Sequence, residues 1–433
     1  MTQTSDAKAA AAAVDEACEY NLLTPRRGLM STTTGLSESQ LMVRESVGQI
    51  CSQFDNAYWR DKDVKEEDPK EFHAALASKG WLGIALPESL GGSGLGISEA
   101  TVMMQTITES GGGMAAAQAI HGNIYATQPL VRFGSAELVR ETVPAMVSGT
   151  ARLCFAVTEP DSGLDTLSLK TMARRVNDDE YSITGRKIWI TCAQVASKMV
   201  LLARNQVESP SPSDNLSLFC IDLDRQRPGL EMRRIRKMGS RAVDANEVVF
   251  DEYRVPAATR VGPETAGFRA VLRGINAERC LLAGEALGLG YAAIERAASY
   301  ARQRIVFGRP IGSNQGVSHP LADAYMRLEA ARLATYHAAR LYDDDDDDDS
   351  NDGAKKHTEA VGVAANSAKY LAAEAAFTAC ERAVLVHGGM GYAAEYDVER
   401  WFRDSLVPRI APVSREMILN FISSKVLRLP KSY

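Results

Sequence analysis

The residues best suited to chemistry stand together in one stretch, Asn276-Ala277-Glu278-Arg279-Cys280-Leu281-Leu282-Ala283-Gly284-Glu285-Ala286-Leu287-Gly288. No Pro interrupts it, and Leu281, Leu282, Ala286 and Leu289 recur at spacings that keep one stripe of a helix apolar. Glu278 and Arg279 sit at the entry to that run, where a helix begins to be buried. An acid in a first turn complements the helix macrodipole and stabilises it by about 0.3–1 kcal/mol. In an apolar pocket the same carboxylate is a general base: desolvation raises its pKa until it can take a proton from carbon. Glu285, seven residues on, returns to nearly the same helix face and is the reserve candidate for that role.

The rest of the chain must supply a scaffold around this stretch. With 433 residues the chain is about three times a common single-domain size, so several cores or one large layered assembly are expected. Lys plus Arg number 49 against 55 Asp plus Glu, a net charge of −6, which argues against a general nucleic-acid binder but allows local basic patches for an anionic cofactor. The seven cysteines, Cys18, Cys51, Cys154, Cys192, Cys220, Cys280 and Cys380, are far apart and show neither CxxC nor His-paired spacing. They read as reduced core residues of an intracellular protein, and no metal site is expected. No apolar run approaches the roughly 18–20 residues that span a bilayer, and no signal-peptide core opens the chain, so a soluble protein is expected, with cytoplasm and mitochondrial matrix both open. Residues 1–35 read as a mobile extension whose acids, Asp6, Asp15, Glu16 and Glu19, do not suit a transit peptide.

Hydrophobic periodicity divides the remainder into helices, then strands, then helices. Residues 36–150 carry apolar positions three and four apart, as in Leu41-Met42-Val43 and Phe72-His73-Ala74-Ala75-Leu76. The Gly-rich segment Trp81–Gly96 contains Pro87 and lacks the strand context of a dinucleotide fingerprint, so it is expected to be a turn between helices. Residues 151–262 form an all-β module, with strands expected at Leu153–Thr158, Tyr181–Thr184, Lys187–Thr191, Met199–Ala203, Leu216–Leu223 and Asn246–Phe250. Its turns are expected at Asn177–Glu180, Thr184-Gly185 and Arg227-Pro228-Gly229. Residues 263–433 are helical, with the Ala-rich stretch 359–385 suited to close helix packing. The seven aspartates of Asp343–Asp349 repel one another, and 343–353 is expected to be a solvated acidic loop. They lack the spaced ligands and turning Gly of a Ca²⁺ site.

Over residues 38–430 the chain resembles the acyl-CoA dehydrogenase family. Four segments carry the resemblance: Phe155-Ala156-Val157-Thr158-Glu159-Pro160-Asp161-Ser162-Gly163; Gly185-Arg186-Lys187-Ile188-Trp189-Ile190-Thr191; Arg302-Gln303-Arg304-Ile305-Val306-Phe307-Gly308 with Gln315; and His387-Gly388-Gly389-Met390-Gly391-Tyr392, continuing to Arg403-Asp404. The resemblance implies an α+β fold: an N-terminal helical domain, a central β-barrel-like domain and a C-terminal four-helix-type bundle. It implies FAD held by Phe155, Val157, Thr158, Trp189 and Thr191, with Arg304, Phe307 and Gln315 reaching a neighbouring subunit's FAD in a homotetramer or homodimer. The Gly388-Gly389 turn would present backbone donors to the pyrophosphate. Ser162 and Arg279 are implied in substrate binding, and an electron-transfer flavoprotein is the implied electron acceptor.

In this family a carboxylate removes the α-proton of an acyl-CoA while the β-carbon delivers hydride to flavin N5. Most members carry that base in a Tyr-Glu-Gly-Thr segment after the Arg-Asp pair. Here Pro412 falls at the base position. A minority, including isovaleryl- and long-chain-type enzymes, place the base on a helix before an Arg, and Glu278-Arg279 matches that pattern. Pro412 also removes a backbone N–H that the family turns toward the thioester carbonyl, leaving the N–H of Val413 as the substitute. Leu164 and Leu385 replace polar residues common in the family. Two alternatives stay open: an acyl-CoA oxidase, and a flavin- or acyl-CoA-binding protein of the same fold without dehydrogenase activity.

Overall fold

The computed structural model describes residues 34–207, 209–344 and 352–431, without the side chains of 352–357. The extension expected at 1–35 lies almost wholly outside the described residues. At its end the Thr34 carbonyl accepts a hydrogen bond from Arg332 Nη1 at 2.9 Å.

The amino-terminal third is helical: α1 (Glu38–Cys51), α2 (Asn56–Lys65), α3 (Lys70–Ala77), α4 (Ile97–Ile107), α5 (Gly113–Tyr125), α6 (Thr127–Phe133) and α7 (Ala136–Val147). α1 starts at a capping box in which Ser37 and Gln40 each satisfy the other's backbone N–H. As expected, Trp81–Gly96 is a connection between helices, with two short 3₁₀ turns. Its Gly92 lies so close under Leu86 that a Cβ would fall 2.2 Å from the Leu86 carbonyl oxygen. Between α4 and α5 the chain widens into a π turn, Thr108–Gly112, where Gly111 takes φ +104°. Trp401 Nε1 and Arg400 Nη2 both donate to the Gly111 carbonyl at 3.0 Å, fixing the direction in which α5 leaves.

The middle of the chain forms one mixed sheet in the order β6-β7-β3-β2-β4-β5-β8, with β1 pairing in parallel with β4. The strands are β1 (Leu153–Ala156), β2 (Met172–Arg175), β3 (Glu180–Thr191), β4 (Lys198–Arg204), β5 (Leu216–Asp222), β6 (Leu230–Arg234), β7 (Ala245–Pro256) and β8 (Arg260–Val261). The two strands expected at Tyr181–Thr184 and Lys187–Thr191 are one. Gly185 does not turn the chain: it sits in β3 at φ +152°, where a Cβ would meet Thr171, while β7 pairs along both halves. A second irregularity between Lys187 and Ile190 holds Trp189 at φ +63°. β2 and β6 lie outside the expected strands: both are short and rich in charge, and the alternation of Leu230 and Met232 in β6 is too brief to stand out.

Three long helices dominate the remainder: α8 (Gly267–Gln303), α9 (Gln315–Asp343) and α10 (Asp352–His387), followed by α11 (Val398–Asp404), α12 (Val407–Ile410) and α13 (Arg415–Lys425). A small hairpin, β9 (Ile305–Val306) with β10 (Arg309–Pro310), joins α8 to α9. Ala365, Ala368, Ala372, Ala376, Ala379 and Ala383 of α10 are buried, so small side chains let the helices approach closely as the Ala-rich stretch predicts. One continuous apolar core joins the amino- and carboxy-terminal helices, and much of the sheet encloses a second. The acidic run begins otherwise than expected. Asp343 ends α9, and its carboxylate accepts from the Ile97 and Ser98 N–H groups at 2.7 and 2.9 Å, capping α4. Two unsatisfied helix donors outweigh the repulsion of the aspartates that follow. Residues 345–351 lie outside the described residues.

Candidate active site

α8 carries the stretch singled out by sequence. It is helical throughout, but Glu278 lies about three turns beyond the helix start at Gly267, too far in to be a first-turn acid. Its side chain keeps 15% exposure, whereas Glu285 is fully buried. Thr101 and Gln105 of α4 press on α8 at Gly284 and Gly288, where a Cβ would lie 2.5 and 2.1 Å from their carbonyl oxygens.

Between the two acids stands His121 of α5. Its Nδ1 meets Glu285 Oε1 at 2.5 Å and its Nε2 faces Glu278 Oε1 at 3.8 Å. Burial works against an imidazolium here, but the Glu285 and Glu278 carboxylates outweigh it and raise the His121 pKa to about 10. Burial also raises Glu285, with His121 opposing it. The proton therefore stays within the pair, and placing it on His121 leaves the buried carboxylate matched by a cation. Tyr125, one turn on, packs its ring 4.7 Å from His121 and 5.1 Å from Phe155 of β1, linking the acid cluster to the sheet.

A third side enters from α10. The Lys369 ammonium is buried and donates to the Val413 carbonyl at 2.7 Å, tying down the loop that contains Pro412. Burial, aided by the Arg279 charge and opposed by Glu278, lowers its pKa to about 7. Arg279 is buried, reaches Asn276 Oδ1 at 2.8 Å, and leaves its Nε without a partner. Burial lowers the guanidinium to about 10 against the pull of Glu278. Glu278 thus stands beside His121 as a partly exposed carboxylate within the electrostatic reach of Arg279 and Lys369.

The other sequence-predicted residues fall into two groups. Phe155, Val157 and Thr158 are half-buried along and just beyond β1, and Trp189 and Thr191 are exposed on β3. These edges are locked together: Ile188 N–H donates to the Thr158 carbonyl at 3.0 Å, and the buried Lys187 Nζ bridges Val157 O at 2.8 Å and Glu159 Oε1 at 2.9 Å. Ser162 is buried with its hydroxyl donating to the Asp165 carbonyl, so it braces this loop. The second group lies at the far end of the long helices. Arg304, Phe307 and Gln315 are exposed around the hairpin, and Gly388 and Gly389 are exposed just past α10. Tyr300 stacks on His387 at 4.2 Å, bringing the ends of α8 and α10 together. No described contact joins this second group to Glu278.

The first group fits an isoalloxazine ring: an exposed indole held by a strand bulge, with Thr191 two residues on and Thr158 on the segment bonded to Ile188, offers a flat apolar wall among residues able to hydrogen-bond. The second fits a diphosphate, because the space beside Gly388 and Gly389 is open at the position of a missing Cβ and a guanidinium lies at the same end.

Family models for the acyl-CoA dehydrogenase N-terminal, middle and C-terminal domains match residues 37–150, 154–253 and 265–427. The chain belongs to the acyl-CoA dehydrogenase family. It is therefore an FAD-dependent oxidoreductase with the family's three-part architecture. Among its relatives, acyl-CoA dehydrogenase FadE12 of Mycobacterium tuberculosis is 34% identical over 92% of this chain and 98% of its own length. The caffeyl-CoA reductase-Etf complex subunit CarC of Acetobacterium woodii is 30% identical over 84% and 91%. The butyryl-CoA dehydrogenase structure from Megasphaera elsdenii superposes with a TM-score of 0.83 at 26% identity, covering 91% and 99%.

Within this site, sequence reasoning missed His121, Tyr125, Lys369 and the Glu159–Lys187 pair. His121 and Tyr125 share a helix face four residues apart, a spacing legible in Ala-Ile-His-Gly-Asn-Ile-Tyr, but only packing against α8 gives it meaning. Among the described residues no His, Cys, Asp and Glu cluster is placed to hold a metal, and no helix is long and apolar enough to cross a membrane. Six cysteines are free and buried; Cys18 lies outside the described residues.

Proposed function

We propose that this member dehydrogenates an acyl-CoA to the trans-2-enoyl-CoA, with Glu278 as the base that removes the α-proton. The observation that carries the reading is Glu278 itself, a partly exposed carboxylate of α8 beside His121 of α5, in a chain with Pro412 at the family's usual base position. Bound FAD supplies the acceptor for the β-hydride. Phe155, Val157, Thr158, Trp189 and Thr191 are proposed to hold the ring, and Gly388 and Gly389 the diphosphate. Arg304, Phe307 and Gln315 are proposed to reach the FAD of a second copy in a homotetramer or homodimer, with Arg279 orienting Glu278 or the thioester. Ser162 supports the loop beside the acyl-CoA. An electron-transfer flavoprotein is the proposed acceptor, consistent with the Etf-complex relative.

The test is anaerobic titration of the purified protein with a panel of acyl-CoAs, following the oxidised-flavin absorbance. Bleaching by one chain class supports the reading and identifies the substrate. Pro412, which has no N–H for the thioester carbonyl, favours one other reading, a flavin- and acyl-CoA-binding protein without turnover. Acyl-CoA binding without bleaching, in a protein that dithionite still reduces, would establish it.

A further inference from the structure

We infer that Lys187 is a positioning residue of the flavin site: its ammonium, drawn inside the sheet by Glu159 and the Val157 carbonyl, maintains the bulge that turns Trp189 outward to meet the ring. This role rests on the proposed reading that Phe155, Val157, Thr158, Trp189 and Thr191 hold the flavin. Successive side chains of a strand alternate between the two faces of its sheet, so Lys187, Trp189 and Thr191 of β3 belong on one face. They are not found together. Lys187 is fully buried, whereas Trp189 and Thr191 are exposed. The register accounts for the reversal: Lys187 pairs with Val248 and Ile190 with Asn246, so three steps along β3 oppose two along β7. The extra residue makes Ile190 the next inward side chain after Lys187 and leaves Trp189 outside.

The bulge is a strained arrangement that needs holding. Trp189 sits at φ +63°, a region that is unfavourable for a bulky side chain, and a regular strand with Lys187 inward would carry the indole inward too. Polar contacts close on the bulge from both sides. Lys187 Nζ donates to the Val157 carbonyl at 2.8 Å and to Glu159 Oε1 at 2.9 Å, and Ile188 N–H donates to the Thr158 carbonyl at 3.0 Å. Past the bulge, the buried Asn246 Nδ2 donates to the Ile190 carbonyl at 3.1 Å. Glu159 is itself fixed, its carboxylate accepting from the Lys170 and Thr171 N–H groups at 2.7 and 2.9 Å. It does not follow the ammonium; it determines where the ammonium goes. Burial lowers the Lys187 pKa to about 8 against the pull of Glu159, so the charge is inside despite its loss of water. Buried ion pairs of this kind add little net stability and can often be replaced by apolar side chains without loss. What this one supplies is geometry: while the ammonium is joined to its two oxygens, β3 cannot return to a regular register.

The experiment measures FAD affinity, the visible circular dichroism of the bound flavin and the thermal midpoint in the wild type, Lys187→Met, Glu159→Gln, Trp189→Ala and the double variant Lys187→Met/Trp189→Ala. FAD is held at the same multiple of each protein's Kd during melting, so that ligand linkage is equal. Lys187→Met keeps an apolar stem and removes the charge. It should raise the FAD Kd about 5- to 100-fold, the factor by which relief of the strain at Trp189 lets the unbulged strand compete. The flavin dichroism should change with it, while the midpoint stays within about 4 °C of the wild type. Glu159→Gln should act in the same direction and less, since the Val157 carbonyl still accepts from the ammonium. The double variant should bind FAD no more weakly than Trp189→Ala, because Lys187 acts through the indole. Wild-type affinity and dichroism in Trp189→Ala remove the flavin wall and this role with it. A weakened Trp189→Ala beside a Lys187→Met that binds as the wild type leaves the wall standing and overturns the role of Lys187, as do additive losses in the double variant. If Lys187→Met does not fold, Glu159→Gln decides by the same readings; failure of both to fold makes the pair structural and overturns the proposal.

Discussion

The middle and the end of one helix behave as if they belonged to different proteins. From Ala277 to Gly288, α8 is surrounded: its charges meet His121 and Asn276 inside the same chain, and its glycines admit the backbone of α4. From Arg302 onward it emerges into the hairpin, where Phe307 is 98% exposed and Ile305 54%. The middle obtains its electrostatics from intrachain packing, so its tolerance for change is set by the fold. The end displays large apolar surface that this chain does not cover, so its value lies in what it meets.

That contrast can be broken at its strongest point first. Glu278→Gln removes the proposed base and should slow flavin bleaching by about 10²–10⁴-fold while FAD content stays constant. Stopped-flow absorbance measures it, and undiminished bleaching would place the base elsewhere. Glu285 is a poor substitute, since it is engaged by His121 and away from solvent.

Gly288→Ala tests the packing of the same region. The added methyl carbon would stand 2.1 Å from the Gln105 carbonyl oxygen and the Thr108 hydroxyl, and the overpacking should destabilise the fold by about 1–3 kcal/mol in a denaturant melt. Across the boundary, Phe307→Ala should leave chain stability within about 0.5 kcal/mol but reduce assembly or FAD retention. Gel filtration and flavin content read that outcome, and a large loss of stability with unchanged assembly would erase the distinction between the two regions.

The buried Lys369 makes stability depend on pH. The Lys369 pKa is lowered from 10.5 to about 7 on folding, so between these values the unfolded chain binds the extra proton and stability rises with pH. Below pH 7 the burial penalty is complete, and above 10.5 it vanishes. The slope from one such group is at most about 1.4 kcal/mol per pH unit. Lys369→Met should flatten that part of the stability profile; an unchanged slope would show that the ammonium is not desolvated.

Much of this was legible in the sequence. The order of helices, strands and helices followed from periodicity, and α8 from its apolar stripe. The errors occurred where a local signal met a stronger tertiary one. Thr184-Gly185 reads as a turn, but pairing with β7 on both sides keeps β3 continuous, and glycine is needed there to admit Thr171. Asp343 reads as part of a solvated acidic loop, but two helix donors at Ile97 and Ser98 need an acceptor. The spacing of His121 and Tyr125 is visible in the sequence, but nothing in it points to two acids on α8.

By itself, the sequence determined which side chains were available and which faces of their own helices they share, because helical and strand periods are local properties of the backbone. That was enough to place Glu278, Glu285 and Trp189 on their elements and to indicate the family. Only the tertiary structure decided that His121 enters between the two acids, that Lys369 ties the Pro412 loop beside them, and that Trp189 is presented outward by a bulge. These depend on distances between elements far apart in the chain, and on the burial that turns a charge from a solvated ornament into a strong field.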